Sequence, residues 1–205
     1  MHFETGHVYH VYNRGNNRVK IFLKPDNYHF LLRKVQNEWR PYCDILCYCL
    51  MPNHFHFMLH PNSSACNTIF LKDQESHLQI LSKAIGKTLS SYTQAINIQN
   101  NTTGNLFQKK TRAKCLTESS LSLSSFTHQD YLLNCFHYIH NNPLAANIVK
   151  TLEDWPYSSW PDYYGLDNKG ICNKDFTMKI LGLLPTDFTR NTEVQINKKI
   201  IEHIW

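Results

Sequence analysis

The stretch Ile45-Leu46-Cys47-Tyr48-Cys49-Leu50-Met51-Pro52-Asn53-His54-Phe55-His56 constrains the fold more than any other. An apolar run, a Pro-Asn turn and a second run that alternates histidine with phenylalanine read as a β-hairpin, with strands at about 44–50 and 54–60. Side chains alternate faces along a strand. His54 and His56 therefore share one face, and Phe55 takes the other as an anchor in the core. Two imidazoles on one face of a strand can close on a single divalent ion. A His-x-His pair in a strand is by itself more often structural, so the rest of the chain decides what this pair is for.

The elements around the hairpin are legible. Val8 to Tyr12 alternates β-branched and aromatic residues and reads as a first strand, ended by a turn at Asn13-Arg14-Gly15-Asn16-Asn17. Asp26 is placed to N-cap a helix running to about Trp39, with Phe30, Leu31, Val35 and Trp39 as its stripe and Pro41 as its stop. Pro61 to Cys66 reads as a loop. From Ser76 to Asn97, Leu78, Leu81, Ile85, Leu89, Tyr92 and Ile96 recur at helical spacing. Asn105 to Leu116 is extended and basic, and the Ser/Thr-rich stretch 117–127 reads as a loop. A further helix spans Asp130 to about Asn141, with Asn141-Asn142-Pro143 breaking or kinking it. Short helices are expected near 175–182 and 193–203. The order is β-α-β-β-α-β followed by a helix and a tail. This implies an α+β fold: a ferredoxin-like split β-α-β antiparallel sheet with helices on one face, plus a C-terminal tail. The domain would span 1–164. The tail, 165–205, would carry short helices and is a candidate cover for the site.

Composition sets limits. With 205 residues, 42% of them hydrophobic and 13% aromatic, the chain can bury a full core. Lys and Arg number 21 against 16 Asp and Glu, and this small excess permits a polyanionic partner without demanding one. Seven cysteines without a repeated Cys-x-x-Cys spacing suggest free thiols and a cytoplasmic location. The N-terminus lacks the pattern of a signal peptide, and no apolar run reaches the roughly 20 residues that span a bilayer.

Two histidines leave a metal site incomplete. The segment Phe136-His137-Tyr138-Ile139-His140-Asn141-Asn142-Pro143 is the best source of the remainder. Tyr138 and Asn142 are four apart and share one helix face. The Asn142 amide oxygen can ligate a hard cation, and the Tyr138 phenol can act as nucleophile. Tyr92, late in its own helix, competes equally with Tyr138 on these grounds. Lys109, Lys110, Arg112 and Lys114 form the densest basic strip, and alternation puts Lys110, Arg112 and Lys114 on one face. Arg14, Arg18, Lys20 and Lys24 form a second strip. Asn13 and Arg14, beside the metal strand, are candidate contacts to bases or phosphates. His60 is a candidate supporting residue on the His54/His56 face. A metal pair, a tyrosine and two basic strips point to phosphodiester chemistry on nucleic acid. Two other classes fit the same residues: a hairpin-DNA-binding module without catalysis, and a phosphoesterase acting through metal-bound water.

Met51-Pro52-Asn53-His54-Phe55-His56 is similar to the His-hydrophobic-His motif of HUH single-tyrosine transposases, most of all the REP-associated tyrosine transposases. Tyr9 to Asn16, Gly104-Asn105-Leu106-Phe107-Gln108, Tyr138 to Pro143 and Trp155-Pro156-Tyr157-Ser158-Ser159 resemble that family in the same order, from about Gly6 to Tyr164. The resemblance implies a single-stranded DNA endonuclease and strand transferase acting on DNA that carries a hairpin. It implies His54, His56 and Asn142 as ligands of Mg²⁺ or Mn²⁺, with Asn141 or His140 the substitute should Pro143 turn Asn142 away. It implies Tyr138 as the nucleophile that forms a 5′-phosphotyrosine link, in a monomer or a homodimer.

Overall fold

The protein is described by a computed structural model that covers residues 1–71, 74–118, 126–166, 169–188 and 196–204. Most of the expected Ser/Thr-rich loop, at 119–125, lies outside the described residues, as does the start of the helix expected at 193–203.

Four strands form the main sheet: β1 (Tyr9–Arg14), β2 (Cys43–Met51), β3 (His54–Pro61) and β6 (Arg112–Cys115), in the order β2-β3-β1-β6. All neighbours are antiparallel, and β3 lies between β1 and β2, which is the split β-α-β arrangement. The crossover helices α1 (Pro25–Glu38) and α2 (Ile80–Asn100) pack on one face. The fold class is α+β, as the sequence implies. The expectation of helices on a single face holds for α1 and α2 but not for α3 (His128–Ala145), which lies across the opposite face with the tail.

Local differences have physical reasons. Pro25 takes the first position of α1, where its missing N–H costs nothing, so Lys24 is the N-cap and Asp26 falls within the first turn. Residues 68–71 (β4) and 74–79 (β5) form a small hairpin where the sequence suggests the start of a helix. Leu78 is exposed and outside the apolar stripe, which begins at Leu81, so α2 begins only at Ile80. α3 opens with a capping box, in which the Thr127 Oγ1 accepts from the Asp130 N–H and the Asp130 carboxylate accepts from the Thr127 N–H. It then runs through Pro143 instead of ending there.

Alternation sorts the strands into two cores. Tyr9, Val11, Tyr48, Leu50, Phe55, Phe57 and Leu59 point to α1 and α2, where they meet Leu31, Val35, Trp39, Ile85 and Tyr92. Each large apolar side chain removed from water there contributes roughly 1.5–3 kcal/mol. Cys47, Cys49, Met51 and Met58 point the other way, to Leu132, Cys135, Phe136 and Ile139 of α3. α4 (Trp160–Tyr164) joins this second core, as does the tail through α5 (Lys174–Leu181) and α6 (Lys198–Ile204). Residues 157–159 also pair with the outer edge of β2: the Leu50 N–H donates to the Tyr157 carbonyl and the Ser159 N–H to the Tyr48 carbonyl. This covers an edge strand that would otherwise be open. All seven cysteines are free thiols. Among the described residues no helix is long and apolar enough to cross a membrane.

Candidate active site

The second face of the sheet is not apolar throughout. At the end of β3 next to the Pro52-Asn53 turn, His54 and His56 point toward α3, and β1 adds His10 and Tyr12 on the same face. Tyr138 of α3 stands over them, its ring centroid 5.7 Å from that of His56 and 6.3 Å from that of His10. Asn142, one turn later, brings its Oδ1 to 3.4 Å from the His54 Nε2. His54 and His56 of β3 are thus brought together with Tyr138 and Asn142 of α3, and β1 adds His10 and Tyr12 beside them.

The proline is part of this arrangement. Pro143 has no N–H to give to the Ile139 carbonyl, the partner one turn earlier. The Asn142 side-chain amide donates to the Tyr138 carbonyl at 2.8 Å and reaches the Ile139 carbonyl at 3.5 Å. With its NH₂ used on the backbone, Asn142 turns its oxygen to His54. His140, the alternative on this helix, is buried away from His54, its Nε2 2.7 Å from the Ser159 hydroxyl.

Proton counting shows what this corner can hold. Burial holds His54 below the ordinary histidine range; the Asn142 contact opposes this and Arg14 adds to it. Neutral imidazole has one N–H. The His54 Nδ1 lies 2.6 Å from the Asn53 Oδ1, which can only accept, so the proton sits there. The His54 Nε2 and the Asn142 Oδ1 are then two lone-pair acceptors facing each other at 3.4 Å. That pairing is unfavourable until a cation lies between them. Imidazole nitrogen and amide oxygen together suit a divalent ion such as Mg²⁺ or Mn²⁺. Among the described residues no three His, Cys, Asp or Glu side chains gather into a metal site, so an ion held by this histidine pair would need a further donor such as the amide. His56 is fully buried and, through burial and the neighbouring His10 and His54, is held well below the ordinary range.

His54 and His56 open onto a cavity of about 500 Å³ lined also by Tyr12, Arg14, Arg18, Lys110 and Arg112, with no acidic residue in its wall among the described residues. Arg18 is held there by an unusual backbone: Asn17 and Arg18 both adopt the left-handed region, at φ 51° and 60°. Gly15 makes room for that turn, since a Cβ on it would stand 2.3 Å from the Val19 carbonyl oxygen. Burial raises the Tyr12 phenol above its usual value, and Arg112 partly offsets it.

Other sequence-predicted residues are placed differently. Asn13 is buried, and its amide donates to the Gln108 carbonyl and the Thr111 hydroxyl. It braces the basic segment and also lines the cavity. Lys109 lines a separate groove along α2, across the 108–112 segment from Lys110 and Arg112. Lys114 is half-buried opposite His10 in the ladder and is outside the cavity wall. His60 sits at the far end of β3, near Asp44 and Phe176, away from His54 and His56. Tyr92 is fully buried under the opposite face, its hydroxyl donating to the Ile21 carbonyl. No described residue of the tail lines the cavity. His10 and Tyr12 were not singled out as site residues in sequence, and Arg18 only as a member of the second basic strip. The alternation argument that pairs His54 with His56 places His10 and Tyr12 beside them once β1 is known to adjoin β3.

No protein-family model matches the chain, and no curated protein matches it. Among solved structures it is similar to a REP-associated tyrosine transposase bound to a REP hairpin, at a TM-score of 0.55 and 18% sequence identity, over 83% of this chain and 84% of that one. At this identity the likeness is one of fold.

Proposed function

We propose that this protein is a metal-dependent single-stranded DNA endonuclease and strand transferase, acting on DNA that bears a hairpin. The observation that carries the reading is the apposed pair of acceptors, His54 Nε2 and Asn142 Oδ1, with Tyr138 one turn earlier on the same helix. The fold shared with a hairpin-bound tyrosine transposase supports the choice of substrate.

In this reading His54, His56 and Asn142 hold the ion. Bound Mg²⁺ or Mn²⁺ would supply Lewis-acid stabilisation of the negative charge that grows on a non-bridging phosphate oxygen. Arg14, Arg18, Lys110 and Arg112 hold the flanking phosphates in the cavity. Tyr138 attacks the scissile phosphorus. The Tyr138 Oη–P bond forms, the bond from phosphorus to the 3′ oxygen breaks, and the phenolic proton is lost to solvent as the 3′-OH is protonated. The product is a 5′-phosphotyrosine link and a free 3′-OH. An aryl phosphodiester conserves the energy of the broken bond, so attack by another strand's 3′-OH reverses the step without a nucleotide cofactor. α3 supplies both the nucleophile and a ligand, so the spacing of attacking oxygen and ion is set within one rigid element.

The test is incubation with Mn²⁺ and a pool of hairpin-bearing single-stranded DNAs, read as a covalent adduct on a denaturing gel. The expected result is an adduct that EDTA or Tyr138→Phe abolishes and Tyr92→Phe retains. Cleavage without adduct would assign the chemistry to metal-bound water instead. Binding without either would make the protein a DNA-binding module.

A further inference from the structure

We propose that His10 is a positioning residue that fixes the tautomer of His56 and thereby turns the His56 Nε2 lone pair toward the metal. The inference rests on reading His54, His56 and Asn142 as the ligand set.

His10 and His56 are both fully buried, and the His10 Nε2 lies 2.9 Å from the His56 Nδ1. One hydrogen bond joins them and it holds one proton. If that proton sits on His10, His56 accepts at Nδ1, a neutral His56 carries its own proton on Nε2, and Nε2 cannot bind a metal. If it sits on the His56 Nδ1, the His10 Nε2 accepts and the His56 Nε2 is a bare donor atom. Only the second arrangement makes a ligand. His10 then carries its own proton on Nδ1.

His54 shows the same device in another form. Its Nδ1 faces the Asn53 Oδ1 at 2.6 Å, so its tautomer is set by the preceding residue. His56 has no such chain neighbour. Phe55 and Phe57 point into the opposite core, so the acceptor must come from the adjacent strand. β1 delivers it: Tyr9 and Val11 face that same opposite core and His10 faces His56. The His10 ring is stacked against Tyr12, centroids 4.7 Å apart, which holds its plane. Each imidazole of the pair thus has one acceptor behind it, an asparagine for one and a histidine for the other. Partners of this kind orient metal-binding histidines, and their removal costs about 10–100-fold in metal affinity.

The experiment uses two readouts on the full chain. Two-bond ¹H–¹⁵N NMR of the metal-free protein reports which His56 nitrogen carries the proton, with the His56 peaks assigned through a His56→Asn variant. Mn²⁺ titration followed by electron paramagnetic resonance reports affinity. In the wild type His56 is expected as the Nδ1–H form. His10→Phe, which keeps a ring and loses the acceptor, is expected to populate the Nε2–H form and weaken Mn²⁺ by about 10–100-fold. His10→Gln, whose amide oxygen can accept, is expected to restore most of the affinity. An Nε2–H His56 in the wild type, or a His10→Phe protein with unchanged tautomer and affinity, would overturn the proposal. So would His10→Gln as weak as His10→Phe in a folded protein, which would reduce His10 to packing. Should His10→Phe fail to fold, the wild-type tautomer and the His10→Gln affinity decide. If the wild type binds no Mn²⁺ at all, the ligand assignment falls, while the tautomer measured without metal still decides the part played by His10.

Discussion

The two faces of the sheet are built by the same strands and differ in what they can do. Toward α1 and α2, the inward positions of β1, β2 and β3 are tyrosine, valine, isoleucine, leucine and phenylalanine, and they close into a dry core. Toward α3 the same strands present cysteines and methionines over most of their length, and histidines and a tyrosine at one end. Each face carries a helix with a tyrosine aimed at the sheet. Tyr92 is fully buried with its hydroxyl on a backbone carbonyl, and burial raises its phenol far above the usual value. Tyr138 is only partly buried and stands edge-on to two imidazoles. A phenol locked in a dry core is held in its protonated form, whereas Tyr138 stands beside His10 and His56, the latter lining a basic cavity. The environment separates two tyrosines that helical spacing alone treats as equals.

Acid should break this comparison most visibly, because the buried histidines lie on the α3 face. Burial lowers His137 to about 4 and His140 to about 3. An unfolded histidine titrates near 6.5, so between about 6.5 and 4 the unfolded chain takes up protons that the folded chain refuses. The stability is whole above about pH 6.5 and is lost as pH falls toward 4, by on the order of several kcal/mol from the two groups together. His54 and His56 are depressed for the same reason and act in the same sense. Urea denaturation from pH 7 to 4 should show this slope, and His137→Leu should flatten it. A stability independent of pH across that range would mean that the α3 face hydrates before it unfolds.

The tyrosines give a smaller and more selective contrast. Tyr92→Phe leaves the Ile21 carbonyl without its buried donor and should cost about 1–3 kcal/mol. Tyr138→Phe, at a half-buried position beside the imidazoles, should cost less stability than Tyr92→Phe while removing the proposed nucleophile. Equal losses of stability in the two variants, by denaturant midpoint at constant slope, would erase the distinction between a core tyrosine and a site tyrosine.

How much of this was legible depends on how local the determinant is. Period-two alternation fixes the faces of His54, Phe55 and His56 without reference to any other strand, and period-3.6 spacing fixes the stripe of α2. The role of Pro143 was not legible, because a proline in a helix reads as a break unless another group satisfies the carbonyl it orphans. Here the Asn142 amide reaches toward that carbonyl at 3.5 Å, and its shorter bond to the Tyr138 carbonyl aims its oxygen at His54. Asn13 reads as an exposed turn residue, and only the three-dimensional approach of the 108–111 segment turns it into a buried post. His10 needed the pairing of β1 with β3. The burial of the tail on β2 and α3 rather than over the cavity depends on contacts that no short motif encodes.

The smallest expected effect tests whether charge on the two faces is equivalent. Lys110 and Arg112 are exposed and line the cavity, whereas Lys83 and Lys87 of α2 line a groove on the other side of the sheet. If the cavity tracks a phosphate backbone, each cation that neutralises a phosphate releases about 0.7 counterion from single-stranded DNA. Lys110→Gln and Arg112→Gln should then each lower the slope of log affinity against log salt by about that amount, for every hairpin sequence alike. Lys87→Gln should leave the slope unchanged, although it removes the same formal charge. Net charge alone, at +5, predicts equal effects from all three substitutions. A slope that falls for Lys87→Gln as much as for Lys110→Gln would show a diffuse attraction of DNA to the whole molecule, and the cavity would lose its claim to be the path of the strand.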